Sequence, residues 1–408
     1  MAAVKNFIVV GARRGLLIQV LLGLHAYTDA NCVAVCARGT RYLRLTHLCA
    51  GQVEVDFEGA EDDLFVEAVN QIGESMPDLV MLCSDCEGAR MISRVRHRLN
   101  VIVAPTPDGP MLDRFDNKWH FYEFCREHGL RVPESELVES KEKLAFSAVA
   151  HKLGLPFIVK PLDQQACTGV HLIVSAEDYR ERILANDAYQ YAPLVAQRCI
   201  KGVDVGLNML AIHGQVQAIG IQQRVYPQND EAKIVFFAND YLEQAAHTIS
   251  RESGYHGVMN VDGRIEERTG DVYLFEANPR YWRSHAASVW CGLNFAAESV
   301  ERLQQTAEPR VLTSGCADTF YHPVFRPLLW PYIAFGAGHR GHMSRLMMKD
   351  FCSLASQARA GLKNGMRKRV PPSLFVANQV ERESRLLKAY RAHVKGLISA
   401  GMRRGKID

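Results

Sequence analysis

The sequence predicts a mixed protein, α/β at its start and α+β beyond, with a basic helical extension at its end. Residues 6–105 alternate short β-branched runs with helix-period segments, the rhythm of an open, mostly parallel sheet. Over the next 180 residues strand candidates cluster with helices beside them, which suggests an α+β region with antiparallel sheet. Charge marks the third region: residues 331–408 carry 16 Lys and Arg against 4 Asp and Glu, whereas the rest carry 32 against 41. The net charge of +3 thus hides an acidic body and a basic tail.

In the first region Phe7–Val10, Cys32–Cys36, Leu79–Cys83 and Val101–Ala104 are apolar runs placed where parallel strands would sit. Leu16–Ala26 and Glu61–Met76 have the period of the intervening helices. The Gly11-Ala-Arg-Arg-Gly15 turn lacks the full glycine fingerprint of a dinucleotide site. Pro105, Pro107 and Pro110 then mark a boundary. Asp116 fits the N-cap of a helix from Lys118 to His128 that stops at Gly129. Further strands are expected at Leu155–Pro161, Leu194–Gln197, Gly206–Ile212, Gln217–Ile221 and Val272–Ala277, with helices at Asp178–Asn186 and Tyr241–Gly254. Beyond Pro309 the texture changes, and Arg340 to Lys406 reads as largely helical, broken at Pro371-Pro372. The boundaries that follow are 1–105, 106–308 and 309–408, in keeping with roughly two to three domains for 408 residues.

Composition excludes several classes. With 48% hydrophobic, 23% charged and 9% aromatic residues, the chain is neither disordered, nor collagenous, nor a small disulfide scaffold. Eleven scattered cysteines, an odd number, read as reduced thiols and point to the cytoplasm. Cys83-Ser-Asp-Cys86 stands without a second pair and fits the end of a buried strand better than a metal or redox site. No run approaches the ~18 apolar residues needed to span a bilayer. Arg13 and Arg14 before Leu16–Leu24 give a faint likeness to a signal peptide, but strand, turn and helix account for that stretch better.

Two segments carry chemistry. In Leu155-Pro-Phe-Ile-Val-Lys160-Pro161 a lysine ends an apolar strand, where an ammonium needs a partner or faces a ligand anion; the alternative is a lysine emerging into solvent. In Tyr273-Leu-Phe-Glu276-Ala-Asn278-Pro279-Arg280 strand alternation puts Glu276 and Asn278 on one face. A carboxylate and an amide oxygen at that spacing suit Mg²⁺, and the Arg280 fork just beyond suits a phosphoryl group. Asp262, in Val258-Met-Asn-Val-Asp262, is a candidate third oxygen ligand on a neighbouring strand. The alternative is ordinary polar alternation on a surface strand.

The order and spacing of these segments, together with Lys118, resemble an ATP-grasp enzyme, and within that superfamily a synthetase half of the carbamoyl-phosphate synthase large subunit. The resemblance covers roughly residues 1–300, with 1–105 similar to the preceding parallel-sheet domain and 106–308 to the two-lobed grasp domain. It implies that Lys118 reaches the nucleotide phosphates with Arg114 nearby. It also puts Lys160 on the α-phosphate and the adenine side. The hinge Leu194-Val-Ala-Gln197-Arg-Cys-Ile200 would meet adenine through backbone groups, with Asp204 on the ribose. Glu276, Asn278 and Asp262 would hold Mg²⁺ (or Mn²⁺), and Arg280 and Arg283 would grip an acyl phosphate or the substrate carboxylate. The phosphate loop departs from the family, since Asp163-Gln-Gln-Ala-Cys-Thr-Gly169 keeps one glycine, and Arg198 replaces a common acid.

The implied activity is ADP-forming joining of a carboxylate to an amine or similar nucleophile through an acyl phosphate. Two alternatives stand: phosphoryl transfer to a hydroxyl, and a nucleotide-sensing protein with little turnover. Carbamoyl phosphate synthesis is not expected, because only one grasp unit and no glutamine-hydrolysing domain are present. His285 either faces the nucleophile or is a hydrogen-bonded structural histidine, and His256 is a weaker candidate of the same kind. Nothing adjacent argues for a nucleophilic Cys167, and Tyr226 either lines an acceptor pocket or is a plain loop aromatic. The expected partners are small-molecule acid and amine substrates, with a homodimer the commonest oligomer. The basic tail has three readings: a nucleic-acid or polyanion surface, an amphipathic membrane-surface element using Phe325–Phe335 with Trp330, or helical packing with its charges in solvent.

Overall fold

The computed structural model describes residues 4–40, 43, 46–59, 61–165, 168–225, 233–303, 308–317, 324, 330–351, 354, 355 and 358. The chain divides into a unit over 1–353 and a second over 354–408. Only three residues of the second are described, so most of the basic tail beyond Phe351, like Cys167 and Tyr226, lies outside the described residues.

The first layer is built from β1 (Asn6–Gly11), α1 (Arg14–Tyr27), β2 (Asn31–Ala37), β3 (Gly51–Val55), α2 (Asp62–Ser75), β4 (Val80–Cys83), α3 (Cys86–Val95) and β5 (Ile102–Val103). All five strands are parallel, in the order β3-β2-β1-β4-β5. β1 reads as a continuous apolar run because both of its faces are covered. Phe7 and Val9 pack with Leu17, Leu21 and Leu24 of α1, while Ile8 and Val10 pack with Phe65 and Val69 of α2 and Met91 and Ile92 of α3. The strand order reverses between β1 and β4, which opens a crevice at their carboxyl ends. There Asp85 caps α3, its carboxylate accepting from the backbone of Gly88, Arg13 and Ala12.

Two helices lead out of this layer, α4 (Gly109–Phe115) and α5 (Lys118–Glu127). The cap of α5 is Asn117, whose side chain accepts from Trp119 and His120, and not Asp116 as the sequence suggests. Both are good capping residues, and the backbone selects the one immediately before the first helical position. Asp116 is thereby left to turn its carboxylate elsewhere. Next come β6 (Ser135–Val138), α6 (Phe146–Leu153), β7 (Phe157–Pro161), β8 (His171–Ile173), α7 (Ala176–Tyr179), a π-helical turn over Arg180–Leu184, and β9 (Leu194–Arg198). These strands make an antiparallel sheet, β6-β9-β7-β8, over a core that includes Phe157, Val159, Ile173 and Tyr179.

The larger sheet follows, from β10 (Gly202–Ile212), β11 (Gln215–Val225), β12 (Lys233–Phe237), α8 (Asp240–Ser253), β13 (Gly257–Glu266), β14 (Val272–Asn278), α9 (His285–Trp290), α10 (Phe295–Glu301), β15 (Arg310–Leu312) and β16 (Ser314–Ala317). Its order is β14-β13-β10-β11-β12-β16, antiparallel, with β15 running parallel to β11. β15 and β16 come from beyond residue 308, where the sequence places a boundary, and they extend the same sheet. α11 (Trp330–Ala334) and α12 (Gly338–Met348) complete the described chain. Among the described residues no helix is long and apolar enough to cross a membrane.

Candidate active site

The site lies where the two antiparallel sheets and the start of α5 converge. β7 delivers Lys160, which is 4% exposed. Its Nζ donates to Gln197 Oε1 (3.0 Å) on β9 and to the Phe275 carbonyl (3.2 Å) on β14, so it links the two sheets. Gln197 is fixed in turn by donating to Ser135 Oγ. Burial pulls the Lys160 ammonium down to about 8; Glu276 and Asp262 oppose this fall and Lys118 adds to it. At the first position of α5, Lys118 is buried too, with Nζ 3.7 Å from Glu276 Oε1 and donating to the Gln164 carbonyl at 2.6 Å. That second contact ties it to the loop after Lys160, where the backbone of Lys118 also bonds Leu162.

β13 and β14 bring the proposed metal ligands together. In register Asp262 lies opposite Glu276, and Asn260 opposite Asn278. A bulge follows at once, since Gly263 pairs with Leu274 and leaves Phe275 as the extra residue. Burial and the facing charge of Glu276 push the Asp262 carboxyl up to about 7. Asn278 Nδ2 donates to Asp262 Oδ2 at 3.1 Å, and Asn278 Oδ1 accepts from Arg280 Nη2 at 2.8 Å. The Nε of Arg280 is buried without a partner among the described residues.

This donor set fits a hard divalent cation. Two facing carboxylates and an amide oxygen offer oxygen ligands only, and burying two negative charges together calls for a positive one between them. Among the described residues no group of three or more His, Cys, Asp or Glu forms a metal cage. A trio with one amide instead suits an ion that keeps phosphate oxygens or waters in its shell.

The remaining expected residues are more dispersed. Asp204 is exposed, and its carboxylate is paired with Arg264, which also holds the Ile200 carbonyl at 2.9 Å. Ile200 and Gln197 are buried along the hinge, and the Cζ of Arg198 sits 5.2 Å from the Tyr273 ring centroid. Gly169 has φ +70°, and an added Cβ would lie 2.7 Å from Pro161 and Tyr191, so the one glycine left in the loop is required by its backbone and its neighbours. Arg114 and Arg283 are exposed, and among the described residues neither makes an ion pair. His285 is fully buried, with Nδ1 3.1 Å from the Gln19 carbonyl; it is structural. His256 stacks on His213, with ring centroids 4.2 Å apart.

One residue of this region escapes a reading of the sequence. Asp116, released from capping, accepts from Gln165 Nε2 (3.2 Å) and Cys86 Sγ (3.6 Å) and lies 3.6 Å from Arg90. It brings the crevice of the parallel sheet up to the phosphate loop. No local pattern marks it, because its partners lie 26 to 49 positions away in sequence. Cys83 and Cys86 are held as thiols by burial, which supports a structural reading of that pair.

The fold brings lysines, carboxylates and an arginine together between two antiparallel sheets. Residues 115–284 match the family model described as an ATP-grasp domain, and the chain carries that domain. A D-aspartate ligase from Enterococcus faecium (strain Aus0004) is 26% identical over 310 residues, covering 69% of this chain and 70% of the relative. The carbamoyl phosphate synthase arginine-specific large chain of Bacillus subtilis (strain 168) is 21% identical over 42% of this chain, which spans only 17% of that relative's length. Among solved structures, N5-carboxyaminoimidazole synthetase from Staphylococcus aureus complexed with ADP superposes with a TM-score of 0.57 at 15% identity, over 75% of this chain and 79% of the other. That last likeness is one of fold.

Proposed function

We propose that the protein is an ADP-forming, ATP- and Mg²⁺-dependent ligase that activates a carboxylate as an acyl phosphate and joins it to an amine. The observation that carries this reading is the convergence of Lys118, Lys160, Asp262, Glu276, Asn278 and Arg280 from two sheets and a helix start onto one buried locus. A carboxylate attacking the γ-phosphate of ATP brings two anions together, and such a site must neutralise charge and align the reactants. Lys118 and Lys160 supply positive charge from the nucleotide side. Arg280, next to Asn278, is placed to grip the acyl phosphate or the carboxylate, with Arg283 further out. Asp262, Glu276 and Asn278 would hold Mg²⁺, which supplies charge neutralisation at the phosphate oxygens. Ile200 and Gln197 line the base end of the pocket, Asp204 the ribose end and Gly169 the phosphate loop; Arg114 stands nearby at the end of α4. An amine acceptor then displaces phosphate, and no covalent enzyme intermediate is needed.

The same reading places the first domain at residues 1–105 and extends the grasp domain past 308 to the end of β16, because β15 and β16 belong to its sheet. Among the described residues none of the nine cysteines forms a disulfide, in keeping with a cytoplasmic setting. The test is nucleotide turnover with an extract of small molecules as the source of acid and amine. Wild type is expected to release ADP and phosphate, and Glu276→Ala to lose at least about 100-fold, the cost of a transition-state charge partner. Production of AMP and pyrophosphate would refute the ligase reading.

A further inference from the structure

Behind the metal-facing residues runs a row of three asparagine amides. Asn208 of β10 lies opposite Asn260 of β13, and Asn260 lies opposite Asn278 of β14. They are 0%, 6% and 4% exposed. Asn278 Nδ2 donates to Asn260 Oδ1 at 3.3 Å, Asn260 Nδ2 donates to Asn208 Oδ1 at 3.0 Å, and Asn208 Nδ2 is buried without a partner among the described residues. A sheet interior gains nothing in stability from such a row, since apolar residues of the same size would leave no orphan donor.

We infer that Asn260, backed by Asn208, is a positioning residue that holds the Asn278 amide with its oxygen toward the cation; the inference rests on Asn278 being a metal ligand. Polarity along the row is determined by chemistry. In its ionised, cation-binding form the Asp262 carboxylate only accepts, so Asn278 presents its nitrogen there. The amide has two N–H groups, and Asp262 and Asn260 each take one. With both donors engaged, Oδ1 is the only group left to face Arg280 and the site. A cation would draw the Asp262 carboxylate toward itself, and Asn260, which ligates nothing, would remain to fix the amide. Asn208 opposes turning of the Asn260 amide, because the turned state would set the oxygens of Asn208 and Asn260 against each other across β10 and β13, while Asn278 would meet a second donor across β13 and β14.

The experiment titrates Mn²⁺, followed by its paramagnetic resonance, into the full chain with ADP present, and needs no turnover. Asn260→Leu removes the acceptor while keeping the branched shape of the side chain and is expected to weaken Mn²⁺ binding about 10- to 100-fold, as losses behind a metal ligand commonly do. Asn208→Leu, one step further back, is expected to weaken it by several-fold and serves as the decisive variant if Asn260→Leu does not fold. ADP affinity without metal is expected to stay within twofold of wild type in both. Folded variants with wild-type Mn²⁺ affinity would overturn the inference, provided Asn278→Leu loses binding. If Asn278→Leu also binds Mn²⁺ normally, the metal assignment itself falls, and the inference with it. An equal loss of metal-free ADP affinity would also count against it, since that is what general distortion of the sheet would produce.

Discussion

Lys160 keeps a charge at 4% exposure because the groups around it are nearly all acceptors or acids: the Gln197 oxygen, the Phe275 carbonyl, and the carboxylates of Glu276 and Asp262 beyond. With its ammonium near 8 it is still mostly protonated at pH 7, so an anion entering the site meets a cation already stripped of water. Lys160→Met is therefore expected to lower ATP affinity roughly 10- to 150-fold, the equivalent of about 1.5–3 kcal/mol for a hydrogen bond to a charged group. Equilibrium binding of a fluorescent ATP analogue reads this directly, and an unchanged affinity would remove Lys160 from the nucleotide site. Lys160 was legible in the sequence as a lysine ending an apolar strand, and Glu276 and Asn278 as neighbours on one strand face. Asp116 and Asn260 were not. Their roles depend on which cap the backbone chooses and on the register between distant strands, and neither leaves a mark in adjacent residues.

At the scale of elements, the parallel layer was readable because its strands are short, apolar and regularly spaced by amphipathic helices. The observed β1, β2 and β4 lie within a residue or so of the runs Phe7–Val10, Cys32–Cys36 and Leu79–Cys83. β3, β6, β8, β12, β15 and β16 were missed; β3 is only partly buried, and β8 and β15 are only three residues long. The joint between β1 and α3 depends on one side chain. Asp85 is 0% exposed and takes the backbone N–H groups of Ala12, Arg13 and Gly88 at 3.2, 2.8 and 2.9 Å. Burial still raises its carboxyl above the ordinary value, with Glu87 adding to the rise, so the three donors only partly offset desolvation. Asp85→Ala loses an N-cap worth about 1 kcal/mol and leaves two further donors unpaired at about 1–3 kcal/mol each. A destabilisation of roughly 3 kcal/mol or more is expected in chemical denaturation. Asp85→Asn, which keeps one acceptor oxygen, should lose less, and equal losses for the two variants would contradict this account of the joint.

Across the first unit as a whole, α1 serves as a shared wall. Its residues Leu17, Leu21 and Leu24 share one core cluster with Phe7 and Val9 of the parallel sheet and with Trp282, Phe295 and Ala296 next to the larger sheet. Polar contacts follow the same seam: Gln19 Oε1 accepts from the Ala286 backbone, the Gln19 carbonyl meets His285 Nδ1, and Asn294 donates to the Gly23 carbonyl. His285 is enclosed by Tyr281, Trp282 and Phe295, and among the described residues its Nε2 has no partner. Burial pulls this imidazole down to about 4. The native state therefore keeps it neutral, while an unfolded chain protonates it near 6.5. Its contribution to stability is complete above pH 6.5, falls as the pH drops toward 4 because only the unfolded state takes up the proton, and levels off below that. The interval corresponds to roughly 3 kcal/mol from this one site. His256, also lowered to about 4 but only partly buried, adds to the slope in the same direction. His285→Gln can still donate to the Gln19 carbonyl and does not titrate. Urea unfolding at pH 7.5 and pH 4.5 is expected to show a markedly smaller acid loss in the variant than in wild type. Identical losses would mean that the seam between the two sheets opens before His285 is protonated, and that the layers unfold separately.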